Sequence, residues 1–169
     1  MALRIVEQKA LAIHFGIIRL KYSPSGGAEK IIERIIQSLN NKDSKIEFTI
    51  FSGQWASESK FCNPNLKPPS NVNVVNLGLG GVGRYWRQKT FLSAAKRATE
   101  SMSNLDIIQS HERMVGSDIF RAGDGVHRAW LNRLASDRGR FLGRLLDADP
   151  YHRLICNNEA EMARDPRTI

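Results

Sequence analysis

Residues 10–39 read ALAIHFGIIRLKYSPSGGAEKIIERIIQSL, and this stretch decides the fold. Residues 10–18 are apolar with little alternation, the pattern of a strand buried on both faces of a parallel sheet. Arg19 to Gly27 reads as a loop, with Pro24 and two adjacent glycines. Ala28, Ile31, Ile32, Ile35, Ile36 and Leu39 then recur at helical spacing, while Glu29, Lys30, Glu33, Arg34 and Gln37 fill the other face. A buried strand, a glycine loop and an amphipathic helix in that order begin an alternating α/β pattern.

Outward from this unit the alternation continues. Residues 45–51 (KIEFTIF) and 72–77 read as strands, separated by a long loop, 52–70, rich in Ser, Asn and Pro. A glycine-rich turn, Gly78 to Gly83, leads into a helix from about residue 85 to 102. Ile107-Ile108 and Ile119-Phe120 are two short strand candidates. Residues 127–146 read as helical with an interruption near Gly139, and 150–164 as a further helix. The expected fold is therefore α/β, a Rossmann-like three-layer domain with a parallel sheet wrapped by helices, one domain over residues 1–169.

Composition is globular, with 41% hydrophobic and 25% charged residues and neither a low-complexity tract nor a solenoid repeat. A net charge of +8 and a pI near 9.9 favour an anionic partner without bearing on fold. The excess is concentrated, since Arg84 to Arg144 holds twelve Lys/Arg and six Asp/Glu. Cys62 and Cys156 lie far apart and form no metal-ligand spacing, which reads as free thiols in a reducing compartment. The apolar run near the start is about half a membrane span and has no small-residue cleavage site, so a cytoplasmic location is expected.

Each short strand candidate runs straight into a polar cluster. The first delivers His111, Glu112 and Arg113; the second delivers Arg121, Asp124 and His127 across two glycines. Open α/β sheets carry their chemistry where strands end, so these groups are expected to converge at one sheet edge. Adjacent residues on an extended segment point to opposite faces, so only one of His111 and Glu112 is expected to face a given pocket. Asp124 also has the structural alternative of capping the helix that follows.

Two glycine clusters compete for a phosphate. Gly26 and Gly27 lie between the first strand and first helix, where backbone amides and the helix N-terminus favour an anion, or merely make a tight turn. Gly78-Leu79-Gly80-Gly81-Val82-Gly83 formally satisfies GxGxxG, the alternative being an NAD-binding oxidoreductase domain. The acidic partner about 20 residues on is poorly placed, because Glu100 falls within a helix and Asp106 opens a strand. No Walker A loop, HExxH or zinc cluster occurs, and Ser110-His111-Glu112 lacks the glycines of a hydrolase elbow.

SPSGGAEKIIERIIQSL (23–39) resembles the glycine loop and first helix of family 4 glycosyltransferases with the GT-B fold. QSHERMVGSDIFRAGDGVHRAWLNR (109–133) and PYHRLICNNEAEMARDP (150–166) resemble the bacterial lipopolysaccharide-core glucosyltransferase branch more specifically. The resemblance covers roughly 10–166 and implies the N-terminal, acceptor-side half of a GT-B enzyme, the nucleotide-sugar domain lying outside this chain. It implies retaining transfer of a hexose from a nucleotide sugar, such as a UDP-hexose, to a glycan or lipid-linked acceptor, with no further cofactor and no metal. On this chain it places Asp124 at the reacting sugars and Gly26 and Gly27 near the donor. His111, Glu112, Arg121 and His127 would bind substrate.

The basic surface carries a further expectation. Arg84, Arg87, Lys89, Lys96 and Arg97 alternate with Tyr85, Trp86, Phe91 and Leu92; Arg128, Arg133, Arg138, Arg140 and Arg144 accompany Trp130, Phe141, Leu145 and Leu146. Basic residues with interfacial aromatics suit in-plane attachment to an anionic membrane, against the alternative of ordinary amphipathic helices facing the sheet. No nucleic-acid-binding motif appears, so nucleic acid is not an expected partner.

Overall fold

In the computed structural model, which describes residues 12–23, 26–40, 45–55 and 69–169, the first apolar run becomes β1 (Ile13–Tyr22). It is the middle strand of a five-stranded sheet that also holds β2 (Ile46–Trp55), β3 (Val72–Asn76), β4 (Ile107–Ser110) and β5 (Ile119–Phe120). All four pairings are parallel, in the order β3-β2-β1-β4-β5. Helices α1 (Gly27–Asn40), α2 (Gly83–Ser101), α3 (His127–Arg138), α4 (Arg140–Ala148) and α5 (Pro150–Met162) complete the domain. The expected Rossmann-like α/β architecture is the observed one.

β1 runs further than its apolar stretch. Arg19, Lys21 and Tyr22 stay extended because they continue the ladder with Ser52, Gln54 and Trp55 of β2. The expected loop from Arg19 is thereby shortened to the few residues before α1. The expected Pro24 corner, most of the 52–70 loop and Cys62 lie outside the described residues. Cys156 is a free, buried thiol.

Ile17 and Ile18 of β1 are both fully buried although they point to opposite faces of the sheet. On one face Ile17 joins Phe15, Phe48 and Ile50 beneath Ile32 and Ile36 of α1. On the other, Ile18 and Phe51 pack against Phe91, Leu92 and Ala95 of α2. Two covered faces make the three layers, each fully buried large side chain contributing roughly 1.5–3 kcal/mol. Phe91 and Leu92, read above as part of a membrane-facing pattern, thus belong to the core: α2 turns that side to the sheet.

The helical region after β5 breaks at Gly139, whose φ of 95° is a left-handed backbone setting that favours glycine. Past α5 the chain returns to the sheet, where Ile169 N–H donates to the Asp118 carbonyl at 2.9 Å and its carbonyl accepts from Phe120 N–H at 3.0 Å. From β1 the chain builds outward through β2 and β3, then returns to add β4 and β5 on the other side. The reversal between β1 and β4 is the point at which open α/β sheets form their ligand crevice.

Candidate functional site

A cavity of about 320 Å³ opens at the carboxyl ends of β1, β4 and β5, beside that reversal. β1 and the start of α1 contribute Arg19, Gly27 and Ala28; the segment after β4 contributes His111 and Arg113. The end of β5 and the turn beyond it contribute Phe120, Arg121, Gly123 and Asp124. Gly27, His111, Arg121 and Asp124, all singled out from the sequence, therefore meet in one wall. Gly26, Glu112 and His127 are not in it. Arg113, delivered by the same strand end as His111, joins the wall as expected; Arg19 joins without having been expected.

Glu112 works behind the wall. Its carboxylate accepts from Arg19 Nη1 at 3.1 Å, from Leu20 N–H at 3.0 Å and from Gln88 Nε2 at 3.3 Å, tying β1 and α2 to the end of β4. His111 lines the cavity and Glu112 does not, so one of the two neighbours faces it as expected, although the chain bends at both rather than staying extended. Arg19 is held from its other side by buried Glu29, Nε to Oε1 at 3.2 Å. A Cβ at position 26 would lie 1.7 Å from Glu29 Oε2, so Gly26 leaves the space in which the Glu29 carboxylate folds back toward Arg19.

His111 is 8% exposed. Its Nε2 meets Gln109 Nε2 at 2.9 Å, so with the amide donating, the ring proton lies on Nδ1. That Nδ1 is buried and has no hydrogen-bond partner among the described residues. Burial first, and then the positive charges of Arg121 and Arg19, lower its pKa to about 4, with Glu29 pulling weakly the other way. At neutral pH the cavity thus presents a neutral imidazole.

Asp124 does not cap α3. The N-cap is Val126, with no side-chain hydrogen bond, and the first helical amide, His127 N–H, donates to both oxygens of Glu159 at 2.9 Å. Glu159 of α5 also holds Arg113 Nε at 2.6 Å, each side chain 14% exposed, and Arg113 in turn donates to the Gly125 carbonyl at 3.1 Å. A distant carboxylate thus does the work that the sequence assigned to a local one, and the Asp124 carboxylate has no hydrogen bond or ion pair among the described residues. Glu159→Gln keeps one acceptor for the cap but loses the ion pair. It is expected to lower unfolding stability by about 2 kcal/mol, short of the fully buried case because both groups retain some water. Urea unfolding checks this; a variant within error of the parent would remove Glu159 from the account.

His127 belongs to a neighbouring cluster. Its Nε2 lies 2.9 Å from His152 Nδ1, and its ring stacks on Trp130 with centroids 5.5 Å apart. Burial, then Arg113 and His152, lower the His127 pKa; burial, then Arg84, lower that of His152. Arg84 pairs with Asp149 and lies over the Tyr151 ring, 4.8 Å from its centroid. Around this cluster Trp86 (51% exposed), Trp130 (49%) and Phe141 (78%) are presented to solvent among the arginines of α2, α3 and α4. No helix among the described residues is long and apolar enough to cross a membrane.

The second glycine cluster lies elsewhere. It follows β3, the edge strand, and two of its amides are used internally: Gly78 N–H donates to Asn76 Oδ1 at 3.0 Å and Gly80 N–H to Thr90 Oγ1 at 3.2 Å. Thr90 also donates to the Gly80 carbonyl at 3.0 Å, closing the turn on α2. The geometry does not favour the dinucleotide reading.

Sequence comparison matches the chain to no protein-family model and to no curated protein. Among solved structures its fold is similar to that of WaaG, a glycosyltransferase involved in lipopolysaccharide biosynthesis, with a TM-score of 0.66 at 15% identity. The likeness covers 88% of this chain and 35% of the WaaG chain, so the domain described here spans about a third of that structure.

Proposed function

We propose that residues 1–169 form the acceptor-side domain of a retaining glycosyltransferase. It would move a hexose from a nucleotide sugar, a UDP-hexose by resemblance, to a lipopolysaccharide-core or other lipid-linked glycan. The observation that carries the reading is the convergence of Gly27, His111, Arg121 and Asp124 on one cavity at the sheet's reversal point. The fold shared with part of WaaG supports it.

In this reading the sugar-1-phosphate bond breaks as the acceptor oxygen bonds to the anomeric carbon, and the acceptor proton passes to the departing phosphate. Asp124 is the one carboxylate among the residues lining the cavity, which suits this chemistry better than the opposed carboxylate pair of glycosidases. It would accept a sugar hydroxyl and offset positive charge developing at the anomeric carbon. Neutral His111 would donate from Nδ1 to an oxygen of the acceptor, and Gly27 would let the donor approach the start of α1. Glu112 and Gly26 act through Arg19 and Glu29, shaping the wall.

The charges that grip the leaving phosphate belong, by the same resemblance, to a nucleotide-sugar domain, so this chain by itself transfers little sugar. The exposed aromatics and arginines would rest on the inner face of an anionic membrane, where a lipid-linked acceptor is presented. The test is transfer from UDP-hexose to lipopolysaccharide core, by the chain alone and by a two-domain enzyme containing it. Transfer is expected only from the latter; none with any nucleotide sugar overturns the proposal. NADH binding that Gly80→Asp abolishes would restore the oxidoreductase alternative.

A further inference from the structure

Among the described residues, one cation in the cavity wall is answered by no carboxylate. Arg19 is shared between Glu29 and Glu112, and Arg113 is held by Glu159. Arg121 has no ion-pair partner among the described residues, although it is partly buried. Its place is set by the turn that follows: a Cβ on Gly123 would come within 2.6 Å of Arg121 Nη1, so the guanidinium lies where only a glycine leaves room. In the same wall His111, more than nine-tenths buried, has an Nδ1 without a partner.

A guanidinium presents a planar fork that matches two oxygens of a carboxylate or phosphate, and a buried N–H without a partner is costly until something accepts from it. We propose that Arg121 and His111 form a corner that reads an anionic substituent, a phosphate or carboxylate, on the acceptor sugar. The proposal rests on the glycosyltransferase reading of the same cavity and narrows its substrate class. Gly27 and Ala28 at the start of α1, contributed by a different segment, remain for the donor phosphate. Asp124 in the same wall repels a second negative charge, so the anion must sit against Arg121 and leave Asp124 to a hydroxyl.

The test titrates the chain with glucose 6-phosphate, glucuronate, glucose and UDP, following His111 and Arg121 side-chain resonances by NMR. Glucose 6-phosphate or glucuronate is expected to bind about tenfold or more tightly than glucose, the scale of one charge-assisted contact, and the advantage should shrink with added salt. Arg121→Gln should remove the advantage. Gly123→Ala should reduce it with the charge retained, and both should leave UDP affinity unchanged. Arg121→Lys, which keeps the charge but not the fork, guards against a folding defect and should retain part of the advantage. Equal affinity for charged and neutral sugars, or an advantage that survives Arg121→Gln in a folded protein, overturns the proposal. So does a loss in Arg121→Gln that UDP shares, since Arg121 would then belong to the donor phosphate. Failure of the glycosyltransferase reading registers separately, as absent transfer by the two-domain enzyme.

Discussion

Asp124→Asn is expected to leave folding intact and to lower transfer by a two-domain enzyme containing this chain roughly a hundredfold, the scale of one lost charged transition-state contact. The substitution keeps the shape and a hydrogen-bonding oxygen while removing the charge. As a cap, Asp124 would have cost about 1 kcal/mol when changed to Ala and nothing when changed to Asn. The structure removes that competing role, because Val126 is the N-cap and Glu159 accepts the first amide of α3. Both Ala and Asn variants should therefore melt like the parent, and the kinetic loss can be read without a stability correction. Wild-type turnover by a normally folded Asn variant would leave Asp124 without a part in the reaction.

Acid is expected to destabilise this fold through His111. In the unfolded chain the imidazole takes a proton near its ordinary pKa of 6.5, whereas in the folded protein burial and two arginines hold it off until about 4. Between those values the unfolded state binds more protons, so stability falls as pH drops through the window and is fully present only above it. The shift corresponds to roughly 3 kcal/mol across the window. The lowered pKa values of His127 and His152 act in the same direction. Urea unfolding at pH 7.5, 5.5 and 4.5 measures the slope, and His111→Gln isolates the contribution by placing an amide near Gln109 without a titrating ring. An unchanged slope in His111→Gln would show that other groups account for the acid sensitivity.

Much of the candidate site was legible because its residues lie at strand ends. His111, Arg121 and Asp124 each follow a short apolar run, and a parallel sheet brings the carboxyl ends of β1, β4 and β5 to one side. His127 and Glu112 belong to the same sequence segment and yet face elsewhere. Their directions depend on partners far along the chain: His152 for one, and Arg19 and Gln88 for the other. The pairing that holds β1 extended through Tyr22 is equally distant, since it depends on β2 rather than on the polar residues Arg19 and Lys21 themselves.

By itself the sequence determined the layers of this protein. Hydrophobic period is a local property, and it specifies a strand buried on both faces, a first helix with one apolar side, and breaks at glycine. Only the tertiary structure decided which polar groups are spent and which are free. Glu159 takes the cap that Asp124 was placed to make, Glu29 and Glu112 take Arg19, and Thr90 closes the glycine turn that imitates a dinucleotide loop. Among the described residues, the cavity wall is left with Asp124, Arg121 and one nitrogen of His111 without a partner. That remainder is long-range by nature, because a hydrogen bond or ion pair is satisfied by whatever the fold brings within about 3 Å, however far away it lies in sequence.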